Sequence, residues 1–163
     1  MYSNSLESIL RHFLSLYKDA ACFCDLEGLT PLLRAARSGF LRASKLILEY
    51  CPESVDVYDL KGRTVLHYAH FSDYKYLQEL LKIPEINALM NVKDCEGNTA
   101  AHLATKNGNF LLLKILHESM ANFSLKNYKD ISVEELIEPH GGFFSDVEKA
   151  MANTTTGKWM EKK

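Results

Sequence analysis

The sequence predicts an all-α solenoid of helix-turn-helix units joined by short β-turn fingers, and three observations carry that prediction. The first is self-similarity: Asp25-Leu26-Glu27-Gly28-Leu29-Thr30-Pro31-Leu32-Leu33-Arg34-Ala35 returns as Asp59-Leu60-Lys61-Gly62-Arg63-Thr64-Val65-Leu66-His67-Tyr68-Ala69, and again as Asp94-Cys95-Glu96-Gly97-Asn98-Thr99-Ala100-Ala101-His102-Leu103-Ala104. A period of about 34 residues is that of stacked supersecondary units, each too small to bury its apolar face alone. The second observation is apolar spacing of helical period after every copy. The third is punctuation, with Gly in each turn and Pro52 and Pro84 after the longer helical runs.

The chain begins with a half unit, 5–24. Leu6, Ile9, Leu10, Phe13, Leu14 and Tyr17 share one helical face with no turn phrase before them, so this segment reads as an outer helix that caps the array or is left from a longer one. The first full unit, 25–58, is expected to hold an inner helix over Pro31–Ser38 and an outer helix over Leu41–Tyr50, with Leu41, Leu46, Ile47 and Leu48 on the latter. The second unit, 59–93, places its outer helix near Tyr74–Lys82, where Leu77, Leu80 and Leu81 supply the apolar face. The third, 94–126, carries Phe110, Leu111, Leu112, Leu113, Ile115 and Leu116, apolar almost all round as suits an element covered on two sides. A weaker echo starts at Asn127-Tyr128-Lys129-Asp130 and opens a degenerate capping unit, 127–152. There Ser132-Val133-Glu134-Glu135 forms a capping box, Pro139 and Gly141-Gly142 interrupt, and Phe143, Phe144, Val147, Ala150 and Met151 continue as an amphipathic helix. Residues 1–152 thus make one domain, and 153–163 read as a flexible tail, with Trp159 a candidate for docking.

The turn phrase has a chemical logic. Gly28, Gly62 and Gly97 stand where positive φ is cheap without a Cβ, and the Asp three residues earlier bonds to the turn backbone. Thr30, Thr64 and Thr99 cap the helices that follow, and Pro31 takes a first helical position.

The phrase D-x-x-G-x-T-x-L-H-x-A, in three copies across residues 22–138, resembles the ankyrin repeat. The second copy departs from that pattern at Val65 for Pro, His70 for Ala, and Asp73 for the Gly that Gly39 and Gly108 supply elsewhere. The last departure makes the second unit the expected soft joint of the stack. The lengthened loops 49–56 and 83–91 are similar to those of plant ankyrin proteins whose arrays precede a membrane domain in defence signalling.

The resemblance implies a protein-binding module working through the concave finger and inner-helix surface. Residue by residue it carries contact roles to Leu26, Glu27, Leu29, Arg37 and Ser38, then to Tyr58, Leu60, Lys61, Arg63, Phe71 and Ser72. It continues with Lys93, Cys95, Glu96, Asn98, Lys106 and Asn107, and ends with Lys126 and Tyr128. The alternative it implies is a cytosolic regulatory domain acting on its own membrane part.

Composition is neutral toward other classes. A formal charge of −2, with Lys and Arg dispersed, gives no pull toward nucleic acid. No phosphate-binding loop, nucleophile elbow or zinc-protease motif is present, so no enzymatic activity and no cofactor are expected. His67 and His70 have metal-compatible spacing, but His67 and His102 fill one repeat slot whose ring bonds helix-start backbone. Cys22 and Cys24 read as a buried or half-buried pair, and all four cysteines as reduced thiols of a cytoplasmic monomer. No apolar run reaches the length of a membrane helix.

Overall fold

A computed structural model describes residues 3–70 and 74–137. The readings placed on Phe71, Ser72 and Asp73, and on everything from 138 onward, including the second capping helix and the tail, lie outside these residues.

Helices α1 (Ser3–Leu16), α3 (Leu41–Tyr50), α5 (Tyr74–Leu81) and α8 (Phe110–Glu118) form the outer row. The inner row is α2 (Pro31–Arg37), α4 (Val65–Tyr68), α7 (Ala100–Lys106) and α9 (Val133–Ile137). Along the inner row α2 packs on α4, α4 on α7, and α7 on α9; α1 packs on α3 and α5 on α8 outside. The lengthened loops hold a 3-10 turn, Pro52–Asp56, and a one-turn helix α6, Pro84–Asn87. The one β-bridge among the described residues joins Lys126 to Ser132 in the last finger. The prediction of an all-α ankyrin-like solenoid therefore describes the architecture.

The core lies between the rows. Leu32, Leu33, Leu66, Leu77, Leu80, Leu113 and Leu116 are fully buried, each stabilising the fold by roughly 1.5–3 kcal/mol through removal from water. Ala36, Ala69, Ala100 and Ala101 are buried along the inner row, where small side chains favour close approach of neighbouring helices.

Local devices close the helix ends. Thr30 Oγ1 accepts from the Leu33 amide at 3.3 Å, and Ser132 and Glu135 close the expected capping box at 2.7 and 3.2 Å. In the second and third units a histidine takes the glutamate's part: Thr64 N–H donates to His67 Nδ1 at 3.1 Å, and Thr99 N–H to His102 Nδ1 at 3.2 Å. At helix C-termini, Gly39 and Gly108 take positive φ, and so does Met120 at +67° after α8. Around Met120 the amide donates to the His117 carbonyl and that of Ala121 to the Leu116 carbonyl, a Schellman closure.

One expectation changes, and one inner helix is short. The apolar stripe of α1 splits: Leu14 is buried and Leu10 half-buried against the core, while Leu6, Ile9, Phe13 and Tyr17 are exposed. An end helix has one neighbour row, here α3, and only the face turned to it is covered. Inner helix α4 is also a single turn, since Ala69 leaves the helix at ψ 98°.

Candidate functional site: the finger row and the cleft beneath it

Each finger is a turn built by one side chain. Oδ1 of Asp25 accepts from the amides of Glu27 and Leu29 at 2.8 and 3.1 Å. Asp59 does the same for Lys61 and Arg63, and Asp94 for Glu96 and Asn98, all at 2.7–2.9 Å. Asn127 repeats the pattern with Lys129 and Ile131 at 3.0 and 3.2 Å, so the degenerate unit keeps its finger. There Asp130 stands in the glycine slot at φ +63°.

This geometry decides which finger residues face outward. The residue after each Asp or Asn is at the tip: Leu26, Leu60, Cys95 and Tyr128 are exposed in register down the array. Leu26 is fully open, Leu60 90% exposed and Tyr128 74% exposed. A row of apolar tips in water has no core role.

The residue after the glycine does the opposite. Leu29 is 2% exposed and Asn98 8%, so neither is a surface contact as expected from the family pattern. In a narrow hairpin, alternate residues face opposite ways, and this position points toward the next finger. Asn98 Oδ1 accepts from Asn127 Nδ2 at 2.9 Å, and Arg63 Nε approaches the buried Asp94 Oδ2 at 3.6 Å. Arg63 is accordingly half-buried.

Of the other expected contacts, Glu27, Arg37, Ser38, Tyr58, Lys61, Lys93, Glu96, Lys106, Asn107 and Lys126 are exposed. Several are already engaged. Glu27 pairs with Arg37 at 2.9 Å and Arg34 at 3.3 Å, and these guanidiniums, Arg34 first, hold its carboxyl below the usual range. Lys93 Nζ donates to the Lys126 carbonyl at 2.7 Å, tying the last two fingers together.

Between the C-terminal ends of the inner helices α2, α4 and α7 lies a cleft of about 320 Å³ that the sequence did not announce. It opens beside the shortened α4, and its lining includes Arg37, Arg63, His70 and Lys106 together with Leu103 and Leu112. No carboxylate lines it among the described residues. A signal did exist in the sequence: basic residues recur near the inner-helix ends at Arg37 and Lys106, with His70 in the equivalent stretch.

His67 is not available to a ligand, because both ring nitrogens are used. Nδ1 accepts from Thr64, and Nε2–H donates to the Asn98 carbonyl of the next finger at 3.0 Å. His102 repeats this toward the Ile131 carbonyl at 3.1 Å. Burial pushes both imidazoles below their ordinary 6.5 and keeps them neutral. Each is a stitch between units. The expected Cys22–Cys24 pairing also dissolves: Cys24 is exposed, and the sulfur beside Cys22 is that of Cys51.

Compared with known families, residues 1–90 match a model described as ankyrin repeats in three copies. The finger turn continues past that boundary, through Asp94 and Asn127.

Proposed function

The chain belongs to the ankyrin-repeat family, whose members are in general protein-protein interaction modules, and from that membership we propose that it holds a protein partner against its finger row and cleft. The observation that carries the proposal is the exposed register of Leu26, Leu60 and Tyr128 at successive tips. Apolar and aromatic side chains on a rigid frame bind at little entropic cost, since backbone bonds already hold the tips. The cleft adds a charge preference: a partner offering apolar side chains to the tips and a carboxylate to Arg37, Arg63 and Lys106 fits both features. Nothing in this surface performs chemistry; binding is its whole contribution.

The test compares partner recovery from source extract on immobilised wild type, a Leu26→Ser/Leu60→Ser/Tyr128→Ser variant, and Glu79→Ala on outer helix α5. The triple variant should stay folded, with only a small drop in melting temperature from the lost contacts of Leu60 on Gly28 and Tyr128 on Gly97, yet lose binding by about tenfold or more, the scale of an interface anchor, while Glu79→Ala binds normally. Equal recovery by wild type and the folded triple variant would overturn the reading.

The lengthened loops favour a second reading, a cytosolic regulatory domain of a plant membrane signalling protein. Val55 and Ile86 anchor these loops in the core, so they are built features of the fold. Among the described residues no helix is long and apolar enough to cross a membrane. A reading frame that continues into membrane helices would support this version, and binding of that membrane part to the finger row would establish it.

A further inference from the structure

We propose that Cys22 and Cys51 are a modification site for hydroperoxides, forming a reversible disulfide that staples the N-terminal cap to the first full repeat. The two sulfurs lie 3.5 Å apart although 29 residues separate them in the chain. Cys22 closes the 3-10 turn Lys18–Cys22 that follows α1; Cys51 ends α3 and precedes the turn Pro52–Asp56, and the two turns pack together. A disulfide needs an S–S distance of about 2 Å, an approach that rotation of two unbranched side chains can supply. All four cysteines are free, and Cys24 and Cys95 are exposed without a second thiol in contact. Only the Cys22–Cys51 pair is preassembled.

The pair divides the work by position. Cys22 is half-buried, within reach of a small peroxide; Cys51 is fully buried. Burial pushes the Cys51 thiol up to about 12, with Cys22 and the nearby Glu53 carboxylate adding to the effect, so it keeps its proton at neutral pH. In the first step the Cys22 sulfur attacks one peroxide oxygen. The O–O bond breaks, Cys22 becomes a sulfenic acid, and the departing hydroxide, or alkoxide from an organic hydroperoxide, takes up the thiol's proton and leaves as water or alcohol. In the second step the Cys51 sulfur attacks the sulfenic sulfur, the S–O bond breaks, and the expelled hydroxide leaves as water with the Cys51 proton. Two thiols are oxidised by two electrons and one hydroperoxide is reduced; a dithiol or glutathione reverses the bond by exchange. The closed loop spans the first finger, α2 and α3, so the link restricts the unfolded chain and raises thermal stability.

The experiment uses the full chain, reduced and then treated with hydrogen peroxide, blocked with N-ethylmaleimide, and mapped by peptide mass spectrometry. The expected product is a Cys22–Cys51 peptide pair lighter by two hydrogens, formed in wild type and equally in Cys24→Ser/Cys95→Ser, and absent in Cys22→Ser. The oxidised protein should melt several degrees higher and return to the starting value with dithiothreitol. All thiols remaining alkylated, or a link through Cys24 or Cys95 instead, would overturn the site. A Cys22–Cys51 bond that leaves the melting temperature unmoved would overturn the staple.

Discussion

Tyr128 lies directly on Gly97. A Cβ built on Gly97 would sit 2.6 Å from the Tyr128 amide nitrogen and 2.7 Å from its ring, while the Tyr128 amide donates to the Glu96 carbonyl at 3.0 Å. The glycine thus serves twice, at φ +78° and as the floor of the next finger. Gly62 shares the positive φ but has nothing nearer than 3.6 Å. Alanine at position 62 should therefore cost about 1 kcal/mol, from backbone strain alone. At position 97 it should cost about 3 kcal/mol, because backbone must also shift. Urea midpoints measure both, and equal losses would mean that the contact with Tyr128 is absent in solution.

Met120→Gly should stabilise the protein by about 0.5–1 kcal/mol. The residue closes α8 at φ +67° with its side chain in solvent, so glycine relieves strain and removes little contact. The gain is tempered by the looser unfolded chain of a glycine variant. A lowered denaturation midpoint would show that this helix end is not left-handed.

Asn109 joins two units: its Oδ1 accepts from the Leu112 amide at 3.2 Å at the start of α8, and its Nδ2 donates to the Ala69 carbonyl at 3.0 Å, where α4 breaks off. Asn109→Ala removes both bonds and should cost about 2 kcal/mol. Asn109→Asp keeps the cap and loses only the bridge, so its loss should be the smaller. If both variants melt like wild type, the bridge does not stabilise the second unit.

Acid should loosen the stack before the carboxylates titrate. Burial holds His67 and His102 below their ordinary 6.5. Between the depressed folded values and 6.5 the unfolded chain binds more protons, so stability rises with pH across that window. It is complete above about pH 6.5 and declines as the pH falls through the window. Melting temperature should drop between about pH 7 and pH 5, with a shallower slope in His67→Gln/His102→Gln. A profile that is flat in wild type, or equally steep in the variant, argues against buried neutral rings.

What the sequence determined by itself was local: the Asp-x-x-Gly turn, the threonine caps, the Ser132–Glu135 box and the outer helix Leu41–Tyr50 all depend on partners within about four residues, and their chemistry reads directly from spacing. The exposed tips Leu26, Leu60 and Tyr128 follow from the same turn. Tertiary structure decided whatever depends on a neighbour roughly one repeat away. Asn98 is buried where Asn127 of the next finger bonds to it, and the stripe of α1 splits because the face turned to α3 is the covered one. Cys22 meets Cys51 because two turns 29 residues apart pack together, and the basic cleft is assembled from the ends of α2, α4 and α7, which lie far apart in the chain. Each of these is a distance between segments, and distance between segments is set by how the units stack.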